Sequence, residues 1–76
     1  MKTYNGHKNW NFWNVALWIS NDEGLYNEAL NHIENASSVR LAAARMLDVL
    51  NDMGIVKTPD GAKYTEANLR AAMRDL

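Results

Sequence analysis

Apolar residues recur at helical spacing in four blocks of this chain, and each block is bounded by residues that start or stop helices. The first block runs from Trp10 to about Ser20, with Asn9 placed to cap it and the Asn21-Asp22 pair placed both to end it and to cap the next. Asp22 and Glu23 suit that second amino terminus, where the helix dipole favours negative charge. Leu25, Tyr26, Ala29, Leu30 and Ile33 then form one stripe. Ser37 or Ser38 caps a third helix whose stripe is Val39, Ala42, Ala43, Met46, Leu50 and Met53, and Gly54 is suited to close it. Thr65 caps a fourth, with Leu69, Ala72, Met73 and Leu76 facing inward. Between the last two helices, Pro59, Asp60 and Gly61 take positions i+1 to i+3 of a type I turn, and residues 55–57 and 62–64 flank it as a very short hairpin. The pattern predicts an all-α fold, a four-helix domain with a central Trp-rich first helix and a helix-turn-helix-like carboxy-terminal half. Residues 1–76 form a single helical domain.

The first helix carries the greatest apolar mass. Trp10, Phe12, Trp13 and Trp18 fall within nine residues, and each buried aromatic removes roughly 150–250 Å² from water. At 100° per residue, Trp10, Trp13 and Leu17 share one side, and Phe12, Ala16 and Ile19 share the adjoining one. Trp18 lies outside this arc, between Asn11 and Asn14. Two readings of Trp18 stand: it packs under the amino-terminal segment against Tyr4 with its indole N–H bonded locally, or it is an exposed aromatic anchor for a partner.

Composition narrows the function. The chain has 76 residues, no cysteine and a formal charge of −1, so neither disulfides nor thiolate metal sites support its small core. No run approaches the length of a membrane span, and the chain reads as cytoplasmic. Residues 1–36 carry a net −2 and residues 37–76 a net +1, so any nucleic-acid contact must come from a local patch. His7 and His32, the only histidines, stand far apart and read as ordinary surface or helix-edge groups. Asp22-Glu23 is explained by capping, and Asp48 and Asp52 by a solvated helix face. There is no nucleophile elbow or phosphate loop. No metal, cofactor or enzymatic activity is expected.

The fourth helix is more suggestive. Its outward side holds Arg70 and Arg74 one turn apart beside Ala67, Asn68 and Ala71, and small residues between arginines permit close approach to a groove. Lys57 and Lys63 on the preceding loop add candidate phosphate contacts. An ordinary solvated face explains the same residues.

Two resemblances extend these readings. Gly54-Ile55, Thr58-Pro59-Asp60-Gly61, Tyr64, Thr65 and Leu69-Arg70 resemble the helix–turn–helix segment of large serine recombinases, without a recombinase catalytic domain. That implies a packing more than it implies DNA binding. The opening half, with Trp13-Asn14-Val15-Ala16-Leu17-Trp18 followed by Asn21-Asp22-Glu23-Gly24, resembles a family of small proteins of bacteriophages and plasmids; Phe12 stands where a polar residue is common there. This resemblance implies a mobile-element setting. Together the readings point to a non-enzymatic phage or mobile-element protein that inhibits a host defence system, such as CRISPR-Cas, by binding a protein surface. Trp18 with Asn11 and Asn14, or Arg70 with Arg74, would form the contact patch. The alternative is a small DNA-binding regulator using Lys57, Lys63, Asn68, Arg70 and Arg74. A homodimer hiding an exposed aromatic surface is compatible with either.

Overall fold

Local capping chemistry sets the helix boundaries. In the computed structural model, which describes residues 9–76, α1 spans Trp10–Asn21, α2 Glu23–Asn35, α3 Val39–Asp52 and α4 Glu66–Arg74. Each helix begins at a side chain that accepts a hydrogen bond from an otherwise unpaired backbone N–H. Asn9 accepts from Phe12 N at 3.0 Å, Asp22 from Leu25 N at 3.0 Å, and Ser38 from Leu41 N at 3.1 Å. Thr65 goes further: its hydroxyl accepts from Asn68 N at 3.2 Å while Asn68 Oδ1 accepts from Thr65 N at 2.8 Å, a reciprocal capping box. Asp22 also closes α1, its N–H donating to Trp18 O, so one residue separates the first two helices.

The end of α3 is a Schellman motif. Ile55 N donates to Leu50 O at 2.8 Å and Gly54 N to Asn51 O at 3.0 Å. Gly54 supplies the required left-handed backbone at φ 77°. This closure leaves Met53 at the helix cap, 66 % exposed, although its stripe spacing predicted an inward position. Beyond it, the expected hairpin reduces to one antiparallel bridge between Lys57 and Lys63. The turn takes the expected register, with Gly61 N donating to Thr58 O at 2.9 Å.

The four helices form an all-α domain in which α4 packs against the other three, most extensively against α1 and α3. Met46, Leu50, Leu69 and Met73 are the largest apolar side chains of the α3–α4 interface, and Val15 and Ile19 bring α1 onto the same core. From α2, Ala29 is fully buried while Leu25 and Ile33 pack at the margin. Tyr26 and Leu76, both predicted inward, remain exposed. On α1 the residues with almost no exposure are Asn14, Val15 and Ile19, and the tryptophans are half-buried. The face turned to the core keeps Ile19 from the expected apolar arc, with Trp10 and Ala16 packed beside it, and adds Asn14 and Val15 from outside that arc.

Candidate functional site

What turns α1 is a polar junction with the loop before α4. Asn14 and Trp18 lie one helical turn apart and therefore share a face. Asn14 Nδ2 and Trp18 Nε1 both donate to Asp60 Oδ2, each at 2.9 Å. Asn14 Oδ1 accepts from the Thr58 hydroxyl at 2.6 Å, and that hydroxyl oxygen accepts from Ala62 N at 3.0 Å. Asn14 is 1 % exposed, yet both ends of its amide are satisfied, as a buried polar group requires. The hydrogen bonds from Asn14, and secondarily from Trp18, hold the Asp60 carboxyl below its ordinary value of 3.8.

These contacts correct two expectations. Asn14 belongs to the interior and offers no atom to a partner. The Trp18 indole is bonded to a residue 42 positions away, and Tyr4, its predicted local neighbour, lies outside the described residues, as does His7. Asn11 is exposed, as a contact residue requires. Asn68 also differs from its predicted outward placement. It is 2 % exposed, and besides its part in the capping box its Nδ2 donates to Lys63 O at 2.7 Å. Both ends of that amide are engaged within the fold, and its burial keeps it from a base edge. Arg70 is half-buried and lies 3.8 Å from Glu66 Oε1, while Arg74 is exposed at the end of α4. Lys57 and Lys63 are exposed and directly opposed across the bridge.

Beside the junction, a groove of about 530 Å³ opens between α2, the end of α3 and the loop. Trp18 forms part of its wall, so the hydrogen bond to Asp60 also fixes one side of the groove. Leu25, Val49, Met53 and Ile55 supply apolar lining, Leu50 and Tyr64 are its buried members, and Asp22, Glu28 and Lys57 supply charge. Gly24 also lines the groove. Glu28 Oε1 contacts His32 Nε2 at 3.1 Å. Burial, and after it the Asp22 carboxylate, pushes the Tyr64 phenol above its ordinary value of 10.0.

Sequence reasoning missed Thr58, Asp60 and the groove residues other than Trp18 and Lys57. The first two were assigned only to the turn, and the groove arises from segments remote in sequence. No group of three or more metal-ligating side chains occurs among the described residues, and no helix among them is long and apolar enough to cross a membrane. No curated protein and no solved structure matches the chain. One family model does, over residues 1–76, and the chain belongs to that family, described as a family of unknown function, DUF7249.

Proposed function

We propose that this protein is a non-enzymatic binding protein that covers a surface of another protein with the groove beside Trp18. The observation that carries this reading is the apolar groove itself, bordered by Met53 and accompanied on the same loop by the exposed Val56. Small proteins seldom leave large apolar side chains together at the surface without a partner to cover them. A preformed concavity with a fixed aromatic wall also lowers the ordering cost of association. Arg74 and Asn11 extend the exposed polar surface available to a partner.

The resemblance of the opening half to phage and plasmid proteins supplies the setting. The partner is a host defence complex such as CRISPR-Cas, met in the host cytoplasm and blocked by occupancy. Expression of the chain in a strain whose CRISPR-Cas system targets a phage is expected to restore plaquing. Met53→Lys, which removes apolar lining and adds positive charge at the rim, is expected to abolish the effect without shifting the unfolding midpoint. Plaquing that stays restricted across several defence types, with the protein folded and expressed, overturns the reading.

A second reading, a DNA-binding regulator, draws on the Lys57–Lys63 bridge. Like charges directly opposed across a bridge are destabilising, and two exposed ammonium groups side by side suit a phosphate. Salt-dependent mobility shift of DNA, weakened by Lys57→Ala and Lys63→Ala, is its signature. No shift at micromolar protein and low salt removes it.

A further inference from the structure

The groove holds polar atoms that an apolar anchor alone would leave without partners. Tyr64 is 4 % exposed and lines the groove, yet its hydroxyl makes no hydrogen bond with any described residue. Among the described residues the one fully covered side-chain oxygen without a hydrogen-bond partner is Glu66 Oε1, so the Tyr64 hydroxyl oxygen keeps contact with solvent and is within reach of a ligand in the groove. Asp22 commits Oδ1 to the α2 cap, and Glu28 commits Oε1 to His32; the second oxygen of each carboxylate remains available to a ligand. The Asp22 carboxylate acts on the Tyr64 phenol, so its negative field reaches the groove. Against these two carboxylates the lining holds one ammonium, Lys57. The Trp18 indole completes the wall, and an indole face attracts cations.

We propose that the groove receives one basic side chain, arginine or lysine, from an exposed segment of the partner protein. Its aliphatic stem lies along the apolar lining by Leu25 and Met53, and its head sits among Asp22, Glu28, the Tyr64 hydroxyl and the Trp18 ring. Long basic side chains combine an apolar stem with a charged end, and this lining offers surface to both. Gly24 fits the arrangement: its backbone is not in the left-handed region, and a Cβ there would stand 3.3 Å from Asp22 Oδ1. A side chain at that position would crowd the oxygen that caps α2, and with it the orientation of the carboxylate whose second oxygen faces the ligand. The proposal rests on reading the groove as the partner site.

The test titrates the full chain with three capped glycine tripeptides that carry arginine, citrulline or norleucine at the centre, followed by NMR. The arginine peptide is expected to shift the Trp18 indole and the Leu25 and Ile55 amides saturably. It should bind at least about fivefold more tightly than the citrulline peptide, as one cation–π contact with partly exposed ion pairs allows, and more weakly at high salt. Asp22→Asn combined with Glu28→Gln should lower its affinity about fivefold, while asparagine still caps α2 and an unchanged spectrum elsewhere shows the fold intact. Equal binding of the neutral peptides, insensitivity to the double substitution, or no binding of the arginine peptide overturns the proposal. If plaquing survives the double substitution, the basic side chain is wrong and the partner-blocking reading stands. If the arginine peptide binds as expected and plaquing is never restored, the pocket stands and the blocking function falls.

Discussion

The two interfaces of α4 and its preceding loop are built from opposite materials. Against α3 the contact is apolar area, with Met46, Leu50, Leu69 and Met73 buried together. Where α1 meets the loop, the contact is three directed hydrogen bonds joining Asn14 and Trp18 to Thr58 and Asp60, with a fourth inside the loop from Ala62 N to the Thr58 hydroxyl. Apolar burial scales with area and tolerates exchange of one shape for another of similar volume. Hydrogen bonds demand particular atoms at particular angles, and an unsatisfied buried atom is costly. The first interface supplies stability; the second fixes the rotation of α1 and, through Trp18, the wall of the groove.

That contrast breaks or holds under substitution. Leu69→Ala removes a fully buried side chain and should cost about 2–5 kcal/mol in chemical denaturation; Met73→Leu in the same interface should cost less than about 1.5 kcal/mol. A loss below about 1 kcal/mol for Leu69→Ala, within the range of ordinary surface changes and mild losses, would place the main support elsewhere. Asn14→Ala should cost about 1–3 kcal/mol by depriving the Thr58 hydroxyl of its acceptor. Asn14→Leu, of similar volume, should fail to rescue it. Full rescue by leucine would make the junction another apolar contact.

Trp18→Phe keeps a ring and deletes the donor. A smaller loss than that of Asn14→Ala is expected, with non-additivity against Asp60→Asn in a double-mutant cycle. Additive losses would uncouple the indole from the carboxylate. The same carboxylate adds acid sensitivity. Its folded value lies below the ordinary 3.8, so its contribution is present above that value and is lost as pH falls through the lower folded one. Acid unfolding of Asp60→Asn, followed by circular dichroism, should show less pH dependence in that window than the parent chain. The smallest effect belongs to Met53→Lys: at 66 % exposure it should stay within about 0.5 kcal/mol of the parent, and a large loss would show that the groove rim is structural.

The features legible in the sequence were those encoded within a few residues. Asn9, Asp22, Ser38 and Thr65 cap helices because a cap reaches only two or three positions along the chain. The Thr58–Gly61 turn was legible for the same reason. The inward face of α1 was legible only in part: Ile19 lay in the expected arc, Asn14 and Val15 did not. At about 100° per residue, Val15 lies roughly 160° around the helix from Trp13, and it is Val15 that is fully buried. Apolar mass favoured the tryptophan side, whereas Asn14 could turn inward only because Thr58 and Asp60, 44 and 46 residues away, satisfy it. No periodicity carries that pairing. Asn68 was within reach, since Thr65 three residues earlier is a capping-box spacing, with asparagine in the place usual for glutamate or glutamine. Of the candidate site, Trp18 and Lys57 were singled out from the sequence; besides Trp18, the groove is lined from α2, the end of α3 and the loop before α4.

The length of chain enclosed by the Asp60 contacts has a kinetic consequence. The bonds from Trp18 and Asn14 close loops of 42 and 46 residues, whereas α3, the turn and α4 meet across a short connection. Contacts distant in sequence form against a larger closure entropy. The α3–turn–α4 unit is therefore expected to form first, with α1 docking on it afterwards. Substitutions at Asn14 and Trp18 would then accelerate unfolding and leave the refolding rate nearly unchanged, as stopped-flow measurements of both arms can register. On that order of events, the groove gains its aromatic wall only in the last step of folding.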